Sequence, residues 1–243
     1  MTRRGWALGA VAAVLGIVAV WAVMARGDEA AGRPGLAVFT SLPLFWNEAP
    51  DIAAMLAPGG EAHWARTALE GAYTLRPRDA LGGLKRERRL LMAQPRPLAP
   101  AENVALDAWV RGGGRVLLFA DPALTQDSAF AFGDRRRPQD TVLLSPILTR
   151  WGLSLAFDED QPLGERVVAL GAAQLPVNLP GQLRAAPGGS CRTSAAGLVA
   201  RCRIGQGRVT VIADAALFER QTGPDAVEPR RRALLALAAE AFE

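Results

Sequence analysis

Histidine, tyrosine, cysteine and lysine are almost missing from these 243 residues: one His, one Tyr, two Cys, and a single Lys among 28 basic side chains. Each scarcity excludes something. Ser-His-Asp and Cys-His triads would all have to share His63, and the chain contains no Gly-x-Ser-x-Gly or Gly-x-Cys-x-Gly elbow to serve them. Nucleophilic hydrolysis of the usual kind is therefore not expected. His63 lies on an expected helix (61–72) with no second His or Cys at ligand spacing, so it reads as a partly exposed helical histidine, not a metal ligand. With lysine nearly absent, the calculated pI near 10 reflects an arginine bias. The formal net charge is only +4, because acids are interleaved throughout, and a nucleic-acid partner is not expected. The basic runs at 85–89, 135–137 and 230–232 read as solvated faces, with contact to anionic lipid as the alternative. No phosphate loop is present. Gly112, Gly113 and Gly114 close a helix before a strand, and Gly205 and Gly207 sit between strands, whereas a phosphate loop follows a strand and opens a helix. No metal or cofactor is expected.

A long apolar run is present. Residues 5–25 carry no charge and at ~1.5 Å per residue reach ~30 Å, the thickness of a bilayer core. Trp6 and Trp21 lie near its ends, and Arg3 and Arg4 precede it, which places the N-terminus in the cytoplasm. The expectation is an uncleaved single-span anchor (1–26), a linker (27–35) and one extracytoplasmic domain (36–243), held at the inner membrane. A cleaved signal peptide is the alternative, although signal-peptide apolar regions run only ~7–15 residues. No cysteine follows the run, which excludes a lipoprotein anchor. Cys191 and Cys202 flank an expected hairpin with its turn near 195–197. They are either a disulfide, contributing ~2–4 kcal/mol, or two buried thiols.

Beyond the linker, strands and helices alternate. Strands are expected at 36–39, 73–76, 89–93, 115–120, 153–157 and 166–170, with an extended, Pro-punctuated edge at 174–183. A hairpin is expected from 197–204 and 208–213. Helices are expected at 50–56, 61–72, 141–150 and 229–242. The clearest unit is 98–114, with Pro100 and Glu102 in the first turn and glycines at the end. The α-to-β steps imply a mostly parallel sheet.

In such sheets ligands bind beyond the carboxyl ends of the strands. Thr40 and Ser41 end the first strand, Asp121 ends RVLLFA and Asp214 ends RVTVIA. These four are the candidate ligand-binding residues. The two carboxylates suit acid–base work or a divalent cation; the competing reading makes each an acidic cap on a short helical turn.

Two stretches, PAENVALDAWVRGGGRVLLFADP (100–122) and GQGRVTVIADAALFE (205–219), resemble membrane-anchored bacterial domains with a class I glutamine-amidotransferase-like fold. These include a family of unknown function (DUF4350) and auxiliary components of gliding-motility-type ABC transporters. The resemblance implies a flavodoxin-like three-layer α/β domain. It implies no amidotransferase activity, because Ala120-Asp121-Pro122 stands where those enzymes have a cysteine elbow. Such domains accompany MoxR-type AAA ATPases, von Willebrand A-type proteins or ABC transporters. The expected function is thus a non-catalytic membrane-tethered scaffold or partner-binding domain, with an enzyme using Asp121 and Asp214 as the alternative.

Overall fold

In the computed structural model, residues 32–48, 62–171 and 173–243 are described. The chain divides into two units, Met1–Pro34 and Gly35–Glu243, and every element below belongs to the second. The expected anchor (5–25) and the expected helix at 50–56 lie outside the described residues. Among the described residues, no helix is long and apolar enough to cross a membrane.

A seven-stranded sheet forms the centre, in the order β2-β1-β3-β4-β11-β10-β9. Its members are β1 (Gly35–Thr40), β2 (Thr74–Pro77), β3 (Arg89–Ala93), β4 (Arg115–Phe119), β9 (Cys191–Ser194), β10 (Val199–Ile204) and β11 (Gly207–Ile212). From β2 to β11 all neighbours are parallel, and β10 and β9 then add antiparallel to the margin. The inner strands are apolar at consecutive positions because both faces are covered. Leu36 and Val38 point to one core and Ala37 and Phe39 to the other, as the two-residue strand period requires.

The two outer layers differ from the expected flavodoxin-like sandwich. On one face lie α1 (Trp64–Ala72), α4 (Pro224–Phe242) and the inner strand of a small hairpin, β6 (Arg166–Leu170) with β7 (Ala173–Val177). On the other lie α2 (Pro100–Arg111), the short α3 (Ser145–Arg150) and a second antiparallel pair, β5 (Leu153–Ala156) with β8 (Gln182–Ala185). Antiparallel pairs thus stand beside the helices in both layers. The physical reason lies in the 162–187 segment, where Pro162, Gly164, Gly171, Pro176, Pro180, Gly181 and Pro187 break helical hydrogen bonding but suit short strands and turns. The expected helix at 141–150 also shrinks to six residues, since Pro146 fits only its first turn. The fold is therefore an α/β sandwich with mixed outer layers, a correction to the expected flavodoxin-like domain, whose outer layers are helical.

Close packing at one turn needs glycine. The 205–207 turn folds against the C-terminus of α2, where Gln206 N–H satisfies the Arg111 carbonyl at 3.0 Å. A Cβ on Gly207 would lie 2.0 Å from the Val110 carbonyl oxygen. Cys191 and Cys202 are directly opposed on β9 and β10 and form a disulfide.

Candidate functional site

The chain reverses direction of growth within the parallel sheet. After β1 it adds β2 on one side, then returns to add β3 and β4 on the other. Loops leaving the carboxyl ends of β1 and β3 therefore part in opposite directions and leave a crevice, the usual ligand position of open α/β sheets. A cleft of about 430 Å³ lies there. Phe39, Thr40 and Ser41 supply it from the end of β1, Arg78 and Asp79 from beyond β2, and Arg96 from beyond β3. Trp46, 42% exposed, and the loop carrying Arg135, Arg136, Arg137 and Gln139 complete the wall.

Thr40 and Ser41 are in the cleft, but their hydroxyls are engaged. The Thr40 hydroxyl donates to the Ala93 carbonyl (2.6 Å) and accepts from Leu42 N–H (2.9 Å). The Ser41 hydroxyl donates to the Gln94 carbonyl (2.5 Å) and accepts from Gln139 N–H (3.0 Å). They shape the floor by tying three loops together. Beneath them Gln94 is fully buried with φ 41°, a left-handed conformation unfavourable for a side chain with a Cβ. Its carboxamide accepts from Asp121 N–H (2.9 Å) and donates to the carbonyls of Asp121 (2.9 Å) and Gln139 (2.7 Å).

Asp121 and Asp214 meet each other elsewhere and do not line the cleft. Both are buried, 0% and 2% exposed. Asp121 accepts from Ala123 N–H (2.8 Å) and Ala215 N–H (2.9 Å); Asp214 accepts from Ala216 N–H (2.7 Å) and Asn178 N–H (2.9 Å). All four carboxylate oxygens thus cap backbone amides. Burial pushes the Asp121 carboxyl up to about 6, aided by the Glu219 charge and opposed by the two amides. Burial, then the Asp121 charge, raises Asp214 as well. Among the described residues no group of three or more His, Cys, Asp or Glu is placed to hold a metal ion.

His63 is not partly exposed, as expected, but buried. Its Nδ1 accepts from Ala65 N–H (3.2 Å) as the N-cap of α1, which leaves Nε2–H to donate to the Phe218 carbonyl (3.0 Å). Burial, then the nearby Arg220 charge, lowers its pKa to about 4, so it is neutral at pH 7. The run at 230–232 is also not a uniformly solvated face: Arg230 is buried, donating to the Ala216 and Leu217 carbonyls and paired with Glu165.

The arginines of the cleft are the functional side chains that sequence reasoning missed. Four are fixed by carboxylates: Arg78 by Glu87, Arg96 by Glu102 through two 2.8 Å bonds, Arg136 by Asp134 and Arg137 by Asp140. Arg96 also stacks over Phe39 at 4.9 Å. Position was the available signal, since Arg78 and Arg96 stand one and three residues past the ends of β2 and β3.

No family model and no curated protein matches the chain. Solved structures similar to it include an exo-beta-1,4-mannosidase from Opitutaceae bacterium strain TAV5, at 12% identity and TM-score 0.49, covering 90% of this chain and 37% of that one. A GH42 beta-galactosidase from G. stearothermophilus is similar at 11% identity and TM-score 0.49, covering 86% of this chain and 30% of that one. A cytoplasmic protein of Salmonella typhimurium is similar at 9% identity and TM-score 0.48, covering 86% of this chain and 98% of that one. This chain spans about a third of the two glycosidases' length. Likenesses this distant transfer neither activity nor substrate. The expected non-catalytic membrane-tethered scaffold beside a MoxR-type ATPase or ABC transporter has no counterpart among these three, which are two glycosidases and a cytoplasmic protein. Among the described residues no helix is long and apolar enough to answer the expected membrane partner and inner-membrane location, and the expected anchor (5–25) lies outside them.

Proposed function

We propose that the domain binds a small anionic ligand in the cleft where the β1 and β3 loops part. One observation carries this reading: five guanidinium groups converge on a cavity of about 430 Å³ at the reversal point of a parallel sheet. Guanidinium groups present forked donors that match carboxylate and phosphate oxygens, and the volume suits a metabolite-sized molecule. Thr40 and Ser41 hold the floor in this reading. Kinship with DUF4350 is proposed on the 100–122 and 205–219 stretches alone, and it names no ligand. The test is a thermal-shift screen of metabolite-sized anions against neutral compounds of similar size. Anions should stabilise the protein saturably, and an Arg135→Ala/Arg137→Ala double variant should lose the effect. Stabilisation by neutral compounds alone would refute the proposal.

A second reading is acid–base catalysis by Asp121 and Asp214, favoured by the raised pKa of both carboxyls. Since each oxygen already holds an amide, it requires the 214–216 turn to open. Turnover that persists in a folded Asp121→Asn variant would remove it.

A further inference from the structure

We infer that the ligand of this cleft carries one carboxylate on a six-membered ring, with the carboxylate forked by Arg135 and the ring laid against Trp46. The inference rests on reading the cleft as an anion site and narrows that reading to a chemical class.

Charge is the first argument. Four of the five guanidiniums are paired with carboxylates, one of which, Glu87, also binds Arg76, and Asp79 in the wall supplies a fifth negative charge against these five cations. Arg135 is exposed and has no carboxylate partner among the described residues. The cleft thus offers one uncommitted cation within a neutral surround. A monoanion finds its counter-charge there. A phosphate dianion or a pyrophosphate would meet Asp79 and four committed arginines, and would have to break existing pairs to be neutralised. Among the described residues the wall shows no row of backbone N–H groups at a helix N-terminus of the kind that holds polyphosphates in α/β folds, and the Ser41 and Leu42 amides are used within the floor.

Shape is the second. Trp46, an exposed aromatic residue, lines the same cavity as Arg135. Large aromatic side chains are usually covered, and one left open in a cleft offers a flat apolar face to a ring. The other aromatic face of the cleft, Phe39, is already taken by Arg96.

The test is calorimetric titration of the full chain with benzoate, D-glucuronate, acetate, D-glucose and D-glucose 6-phosphate. A ring carboxylate should bind at one site more tightly than acetate, and more tightly than the phosphate ester. Arg135→Ala and Trp46→Ala should each weaken it about tenfold or more, with circular dichroism showing the fold intact. Preference for benzoate over D-glucuronate would assign an aromatic acid, and the reverse a sugar acid. Tightest binding of D-glucose 6-phosphate would overturn this inference and leave the anion site standing. Equal binding of D-glucose and D-glucuronate would overturn both, and no binding by any probe would overturn the ring-carboxylate assignment.

Discussion

The Asp121 carboxylate accepts the amide that follows Asp214, so the ends of β4 and β11 are closed by two buried acids, the first reaching into the loop of the second. The arrangement has a pH signature. Both folded-state pKa values are raised, Asp121 to about 6. A raised carboxyl favours the folded state below its unfolded pKa of ~3.9, and that contribution is lost as pH rises through the folded value. The urea midpoint should therefore fall between pH 5 and pH 7.5. Asp121→Asn should flatten that slope while lowering the midpoint at pH 5, because its NH₂ faces an amide donor. Acids with depressed pKa, such as Glu102 at about 2, act in a separate window, losing their contribution only as pH drops below ~4.

Gln94 combines an unfavourable φ with three side-chain hydrogen bonds, two of them buried. Gln94→Ala keeps the strained backbone and leaves Asp121 N–H and the Gln139 carbonyl unpaired, which should cost about 2–4 kcal/mol in urea unfolding. Gln94→Gly should be less damaging by about 1 kcal/mol, since glycine adopts positive φ without penalty. Equal losses would show that the backbone there is unstrained.

Gly207→Ala drives a methyl into the Val110 carbonyl, backbone that cannot rotate away. A loss of about 3 kcal/mol is expected, at the upper end of overpacking costs, measured by thermal unfolding. The neighbouring Gln206→Ala variant keeps its backbone bond to Arg111 and should change stability by less than about 0.5 kcal/mol.

Reducing the Cys191–Cys202 disulfide opens a short loop with a sequence separation of 11. The chain-entropy relation assigns it about 3 kcal/mol, equivalent to a Tm lower by about 6–12 °C in dithiothreitol. A Cys191→Ser/Cys202→Ser variant should show the same Tm with and without reductant.

The sheet was readable because its strands are short apolar runs between turn residues: 89–93 was expected with the bounds observed, and β4 differs by one residue. The outer layers were not. Nothing in the local pattern of 173–185 says that its two extended pieces pair with different partners, β7 with β6 and β8 with β5, because pairing is decided by long-range packing. The strand-end rule picked out Thr40 and Ser41, which line the cleft, together with Asp121 and Asp214, whose carboxylates accept backbone amides away from it. The arginines escaped notice because an exposed cation in a loop looks like solvated surface until the fold brings loops from β2, β3 and the 135–139 segment together.

Pairing Arg96, Arg136 and Arg137 each with an acid divides much of the cleft's charge into separable units. Asp134 and Asp140 sit on the loop, away from the sheet hydrogen bonds, so neutralising either frees one guanidinium without disturbing a strand. Affinity for more highly charged ligands can thus be raised one step at a time by single loop substitutions. This gives the scaffold a route to new binding partners that leaves its folding untouched.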